Sequence, residues 1–333
     1  MTEKNMQVLL ARRPEGQVQT SDFKIVETPL PDIADGQLLV RNHYLSLDPY
    51  MRGRMNAVKS YAPSVNIGDV MVGGTVGQVL ASRHAGFKVG DLVVGFLGWQ
   101  LYGVSDGTAL MRIDESGIPL SAYLGVMGMP GATAYVGLLD IGQPKPGETV
   151  AVSAASGAVG SVVGQIAKIK GCRAVGIAGG PDKCAYVVEE LGFDACIDYK
   201  QGRLAEDLAK AAPKGIDVYF ENVGGPIFDK VLLRMNPFGR IPLCGLISQY
   251  NAIDPYGMKN IGTLVVNRVK LQGFIVSDHL ARWPEAFKDI GQWLKEGRIK
   301  YRESIAQGIE NAPAAFIGLL AGRNFGKQVV KLI

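Results

Sequence analysis

The chain has 333 residues, 47% of them apolar, and a net charge of +4. This apolar content excludes a disordered chain, and the length suffices for one large core or two moderate ones. The basic excess is small and spread along the chain, so a nucleic-acid partner, which needs clustered Lys and Arg, is not expected.

The N-terminus, "MTEKNMQVLLARRPEG", has neither a long apolar run nor a small-residue cleavage site, so no signal peptide is expected. Residues 1 to about 125 read as short strands split by Gly and Pro, such as "GQLLVRNHYLSL", "VMVGGTVGQVLAS" and "GDLVVGFLGW". Close turn signals without a helical period predict an antiparallel, barrel-like domain. The apolar stretch Tyr123 to Ile141 is broken by Gly125, Gly128, Pro130, Gly131 and Gly137, which suits a packed interior helix better than a membrane span.

From 126 to 298 strands and helices alternate. Strands are predicted over Thr149–Ser153, Arg173–Ile177, Ala195–Asp198, Ile216–Phe220, Arg240–Cys244 and Lys270–Val276. Helices are predicted over Gly160–Lys170, Pro181–Leu191, Leu204–Ala211 and Pro226–Leu233. Short, wholly apolar strands suit a parallel sheet covered on both faces, so the fold class is α/β, a doubly wound Rossmann domain beside the β-rich one. Residues 299–333 carry a helix in "ENAPAAFIGLLAG" and a last strand in "GKQVVKLI", and are expected to rejoin domain 1–125. The four cysteines, Cys172, Cys184, Cys196 and Cys244, have no C-x-x-C spacing, so neither a metal cluster nor a disulfide framework is expected. A cytoplasmic protein with reduced thiols is the default reading.

Between the first predicted strand and helix of the α/β region runs "AASGAVG", residues 154–160. A dinucleotide turn must bend sharply, approach a pyrophosphate closely and pack its helix on the strand. Gly157 and Gly160 keep the second and third glycine positions, and Ala155 stands at the first. The same pattern also fits a tight helix–strand contact without a ligand; the strand before it and the helix after it favour a dinucleotide. The following strand runs into "IAGGPDKC", with no carboxylate at its tip to accept from a ribose 2′-OH. Lys183 follows closely, a cation suited to a 2′-phosphate, or else an ordinary solvated helix lysine. Asp182 caps the helix or faces solvent.

The order of domains, together with "LSLDPYMRGRM" (45–55), "GMPGATAYVGLLDIG" (128–142), "AASGAVGSVVGQIAKIKGC" (154–172), "FENVGG" (220–225), "CGLISQYN" (244–251) and "GRNFGKQVV" (322–330), resembles the medium-chain dehydrogenases/reductases. The resemblance is to their zinc-free branch of leukotriene B4 dehydrogenases, prostaglandin reductases and alkenal double-bond reductases. It implies a GroES-like N-terminal domain, NADPH as cofactor and a homodimer. It also implies that Gly157, Ala158, Val159 and Gly160 hold the pyrophosphate, and that Lys183 and Tyr199 meet the 2′-phosphate. Asn222 would lie beside the cofactor. Cys244, Gly245, Ser248 and Tyr250 would border the nicotinamide half, Phe274 and Val276 would form part of its wall, and Asn324 would return from the tail.

Zinc-dependent relatives carry a Cys ligand in the first domain and a Gly-His-Glu motif. Here no cysteine precedes Cys172, "VGGTVG" stands where that motif would fall, and His43 and His84 lack partners at ligand spacing. Without zinc, direct alcohol oxidation is hard, whereas hydride addition to a conjugated alkene leaves an enolate that hydrogen-bond donors can hold. Tyr250 and Tyr50 are the candidate catalytic groups. Met51 and Met129 are candidates for an apolar pocket; core packing is the competing reading for Tyr50 and both methionines. The expected activity is NADPH-dependent reduction of the carbon–carbon double bond of α,β-unsaturated aldehydes and ketones. A zinc-free quinone oxidoreductase and a non-catalytic NADPH-binding protein are the alternatives.

Overall fold

The computed structural model describes residues 4–113 and 117–333. Residues 1–3 and 114–116, which fall in the expected first domain, lie outside the described residues. In chain order the strands are β1 (Lys4–Leu10), β2 (Phe23–Pro29), β3 (Leu38–Ser46), β4 (Thr75–Ser82), β5 (Leu92–Gly95), β6 (Tyr102–Ser105), β7 (Met111–Arg112), β8 (Thr149–Ser153), β9 (Arg173–Ala178), β10 (Ala195–Asp198), β11 (Ile216–Phe220), β12 (Met235–Leu243), β13 (Lys270–Gly273), β14 (Glu303–Gln307) and β15 (Lys327–Lys331). The helices are α1 (Tyr50–Arg54), α2 (Met129–Val136), α3 (Gly160–Ile169), α4 (Pro181–Ala185), α5 (Leu204–Ala211), α6 (Gly225–Leu232), α7 (Thr263–Val266), α8 (Trp283–Lys295) and α9 (Ala312–Leu320). The chain forms two compact units. One holds residues up to Leu124 with Glu303–Asn324 and Gln328–Ile333; the other holds Gly125–Arg302 with Phe325–Lys327.

The first unit is β-rich. Its larger sheet has the order β14-β15-β3-β4-β5-β7, with β6 also paired to β3, while β1 and β2 form a separate hairpin. The pairs β1–β2, β3–β4, β3–β6, β4–β5, β5–β7 and β15–β3 are antiparallel. Side chains alternate across such strands, so each needs only one apolar face. The main core of the unit gathers Trp99, Phe23 and Phe316, with Trp99 stacked on Phe23 at 5.5 Å between ring centroids.

The second unit is a six-stranded sheet in the order β10-β9-β8-β11-β12-β13, parallel at every recorded pairing. Numbered from β8, this is the order 3-2-1-4-5-6 of a doubly wound dinucleotide fold. The order reverses between β8 and β11, so the loops leaving these two strands open a crevice at the carboxyl edge. All five residues of β8 are buried, as a central strand covered on both faces requires.

Three extents differ from the sequence reading. The last parallel strand stops at Gly273 and Val276 opens a 3-10 helix, so Val276 is not a strand residue. The helix expected over Pro181–Leu191 is α4 followed by a π-helical turn, Tyr186–Glu190. Strand β12 begins at Met235, ahead of the expected Arg240, because the turn-like "NPFG" is absorbed as an irregularity with Phe238 at φ 63°.

Candidate functional site

The glycine turn leaves β8 at the crevice. Its sharp bend falls on Ala154, at φ 51°, one residue before the expected first glycine position. Ala155 has an ordinary φ and is fully buried, with its N–H donating to the Ile177 carbonyl at 3.0 Å. The left-handed Ala154 aims its carbonyl at the Gly157 N–H, 2.9 Å away. A Cβ on Gly160 would come within 2.4 Å of that same carbonyl oxygen, so α3 packs on the strand only because residue 160 is glycine. A Cβ on Gly157 would meet it at 3.1 Å and otherwise only the Ala154 methyl at 3.9 Å. Gly157 therefore leaves its outer side open for close backbone approach. Ala158 and Val159 complete the turn into α3, whose first N–H groups and dipole favour an anion. The tail meets this turn: Gly326 N donates to Ser156 O at 3.0 Å and pairs with Gly157, one residue beyond Phe325 and two beyond Asn324.

At the tip of β9, Gly179 and Gly180 are followed directly by α4. Gly180 sits at φ 106°, which favours glycine, and Pro181 starts the helix. Asp182 is exposed and makes no cap, so it faces solvent. A Cβ on Gly179 would lie 2.9 Å from the Tyr199 ring, 3.0 Å from its hydroxyl and 3.1 Å from Lys200 Cε. Tyr199 and Lys200 thus lean over Gly179. Burial, followed by the Lys200 charge, pulls the Lys183 ammonium below the usual lysine range. Two cations brought together beside bare glycine backbone suit an anion between them. Lys200 was missed in the sequence because only the β9–β10 register, with Asp198 opposite Ala178, brings it near Lys183. The nearby carboxylate, Asp198, accepts from Gly180 N at 2.8 Å, Lys200 N at 3.1 Å and Gln201 Nε2 at 3.0 Å.

The carboxyl ends of β8, β11 and β12 are knitted together by Glu221, which is fully buried. Its Oε1 accepts from Ser153 Oγ at 2.8 Å, from Gly224 N at 3.0 Å and from Val223 N. Burial pushes the Glu221 carboxyl above the usual carboxylate range, and these hydrogen bonds oppose it. Asn222 turns its amide onto the Ser153 carbonyl at 2.9 Å, donates its N–H to Ser153 Oγ at 2.8 Å, and accepts from Ile247 N at 3.1 Å. Ser248 Oγ donates to Val223 O at 2.6 Å. Asn222 and the 244–250 loop therefore form one braced structure. Within it Leu246 N donates to Tyr250 Oη at 3.2 Å, and the same oxygen lies 2.9 Å from where a Gly245 Cβ would stand. Burial raises the Cys244 thiol to about 12, so Cys244 lines the loop as an apolar group and not as a nucleophile. Phe274 packs edge-on against Phe220 at 6.2 Å, with its ring tip 2.5 Å from where a Gly137 Cβ would be. Val276 O accepts from Trp283 Nε1 at 3.2 Å.

In the first unit, Tyr50 opens α1 with the Arg54 guanidinium 5.7 Å from its ring centroid. Burial and then the Asp48 carboxylate hold its phenol well above the usual range, so it keeps its proton and can donate. Met51 is fully buried in the core with Trp99 and Phe316, which corrects its reading as a pocket residue; Met129 is partly exposed at the start of α2. His84 Nδ1 accepts from Gly86 N at 2.9 Å and the ring packs on Phe87. Among the described residues no group of three His, Cys, Asp or Glu could hold a metal ion, and no helix is long and apolar enough to cross a membrane.

Strand order and glycine turn together define a doubly wound, dinucleotide-type domain. A family model described as the N-terminal domain of oxidoreductase matches residues 6–113, and one described as zinc-binding dehydrogenase matches residues 158–295. The chain is 52% identical to the NADPH-dependent curcumin reductase of Escherichia coli, over 99% of this chain and 97% of that protein. It is 43% identical to the NADP(+)-dependent 2-alkenal reductase of Nicotiana tabacum, over 98% and 97%. The crystal structure of CurA in complex with NADPH from Vibrio vulnificus superposes with a TM-score of 0.95 at 54% identity, covering 98% of this chain and 99% of that one. The chain belongs to the medium-chain dehydrogenases/reductases, in the zinc-free branch of the alkenal and prostaglandin reductases.

Proposed function

We propose that this enzyme reduces the carbon–carbon double bond of α,β-unsaturated aldehydes and ketones with NADPH, without zinc, as a cytoplasmic homodimer. It is an NADP-dependent oxidoreductase. The observation that carries the cofactor assignment is the tip of β9, where Tyr199 and Lys200 lean over Gly179 and the Lys200 charge reaches Lys183 on α4. The crevice fits the rest of the cofactor: an open Gly157 at a helix N-terminus for the pyrophosphate, and the braced loops of Asn222 and Cys244–Tyr250, with Gly245 and Ser248, for the nicotinamide half. Phe274 and Val276 are assigned to the wall of the same groove.

Bound NADPH supplies a hydride for the substrate's β-carbon. The chain's own task is to hold the charge that then develops on the carbonyl oxygen. An enolate spreads this charge, so fixed hydroxyl donors suffice where an alkoxide would call for a Lewis acid. Tyr250 is assigned as such a donor. Tyr250 Oη already accepts from Leu246 N, which polarises its O–H as a donor.

The test is spectrophotometric NADPH oxidation across enals, enones, quinones and simple aldehydes. Turnover of enals and enones is expected, and turnover of quinones alone would replace this reading by a quinone reductase. EDTA should leave activity intact; a loss that zinc restores would refute the zinc-free assignment.

A further inference from the structure

Two of the four cysteines lie together beneath the tip of β9. Cys184 is on α4, directly after Lys183, and Cys196 is on β10, two residues before Asp198. In the parallel register Cys196 stands opposite Gly176, and its Sγ lies 3.1 Å from where a Gly176 Cβ would be. Gly176 has no side chain to separate the helix from the edge strand. Val187, three residues after Cys184 on the same helical segment, reaches this spot too, with its Cγ1 2.9 Å from the Gly176 Cβ position, so Cys184 lies on the helix face turned toward Cys196, and each thiol shifts the titration of the other. Both are free and partly exposed. The remaining cysteines differ: burial raises Cys172 to about 11 and Cys244 to about 12, whereas the neighbouring Cys196 thiol lowers Cys184 and makes it the readier thiolate. Burial and the Asp198 carboxylate oppose that lowering.

We propose that Cys184 and Cys196 are a redox-active thiol pair, which hydrogen peroxide closes to a disulfide that draws α4 onto β10 and weakens binding of a 2′-phosphorylated adenosine. The Cys184 thiolate sulfur attacks one peroxide oxygen. The O–O bond breaks, and hydroxide leaves as water after taking up a proton, giving a sulfenic acid. The Cys196 sulfur then attacks that sulfur, the S–S bond forms, and the second oxygen leaves as water with the Cys196 proton. Two thiols and one peroxide become one disulfide and two waters, and a dithiol reverses the reaction. Bonded sulfurs lie about 2 Å apart, closer than any unbonded pair, so closure shifts the helix that carries Lys183 toward the strand that leads to Tyr199 and Lys200. The coupling to adenosine binding rests on the cofactor reading above; the thiol pair itself does not.

The test treats the full-length protein with hydrogen peroxide, blocks remaining thiols with iodoacetamide and maps peptides without reduction. A Cys184–Cys196 cross-link is expected, with Cys172 and Cys244 left as thiols. Affinity for 2′,5′-ADP, measured by calorimetry, should fall roughly tenfold, the scale of one weakened charge-assisted contact, and return with dithiothreitol. Cys196→Ser should stop at a Cys184 sulfenic acid and keep its affinity under the same treatment. Two thiols still alkylatable at peroxide levels that oxidise free glutathione, or Cys184 linked elsewhere, would overturn the pair. A closed pair with unchanged affinity would overturn the coupling. A reduced protein that does not bind 2′,5′-ADP would instead sink the cofactor reading, and the peptide map would still decide the pair.

Discussion

Two regions of the parallel-sheet unit are built in opposite ways. At the tips of β9 and β10 the side chains are long and exposed: Tyr199 is 41% exposed, Lys200 is exposed and Lys183 half-buried. At the ends of β8, β11 and β12 the central groups, Ser153 and Glu221, are fully buried, and nearly every hydrogen bond joins one loop to another. The first region recognises by charge and can adjust; the second holds positions. Changes in the first should therefore alter affinity and cofactor choice, and changes in the second should alter turnover.

The glycine turn lies between these regions and serves both, so the largest effects belong to it. Gly157→Val should fold yet lose NADPH affinity by about 4 kcal/mol or more, roughly a thousandfold, because the new side chain occupies the path of the pyrophosphate. Gly160→Val should instead lose stability, by about 3 kcal/mol, since its Cβ collides with the Ala154 carbonyl. Thermal melts and NADPH fluorescence titration separate the two. Normal affinity in Gly157→Val would remove the turn from the cofactor site.

Tyr250→Phe tests the braced region. It should lower kcat for an enone roughly tenfold to a thousandfold while KM changes little, the expected signature of a donor that acts on transition-state charge. An unchanged kcat at saturating NADPH would leave Tyr250 a packing residue, and the contrast between the regions would lose its catalytic half.

Lys183→Ala and Lys200→Ala test the exposed region. Each should weaken NADPH by about 1.5–3 kcal/mol, roughly ten- to hundredfold, and leave NADH nearly unaffected. Equal losses for both cofactors would show that these lysines act on the fold and not on the phosphate.

The same contrast marks what the sequence reveals. Strand β8, the turn and α3 are readable because a buried apolar run, glycines and a helical period each carry a local signal. Lys183 is readable from its place just past the tip of the next strand, which carries no carboxylate. Lys200 is not, because it meets Lys183 only through the register of two parallel strands. Glu221 is hidden for a similar reason: "ENVGG" shows a carboxylate, but only the neighbouring strand supplies the Ser153 that fixes it. The start of β12 is masked by "NPFG", whose Pro and Gly read as a turn although the sheet absorbs them. Met51 illustrates the reverse, a side chain suited equally to a pocket and a core, and only packing decides for the core.

The smallest expected effect concerns Ala154, the residue that bends the turn in place of a glycine. A left-handed φ costs an alanine about 1–2 kcal/mol, which glycine would not incur. Glycine in turn loses more freedom on folding, which costs about 0.5–1 kcal/mol. The first partly outweighs the second, so Ala154→Gly should raise stability by no more than about 1.5 kcal/mol. NADPH affinity should stay the same, because the Ala154 carbonyl that holds Gly157 N belongs to the backbone and survives the change. Ala154→Val should fall on the other side, since a β-branched residue tolerates positive φ poorly. Chemical denaturation of the three proteins, paired with NADPH titration, checks this order. A Gly variant that gains stability and loses affinity would show that the left-handed alanine is kept for binding, placing part of the recognition in the strained turn and not in the two regions it joins.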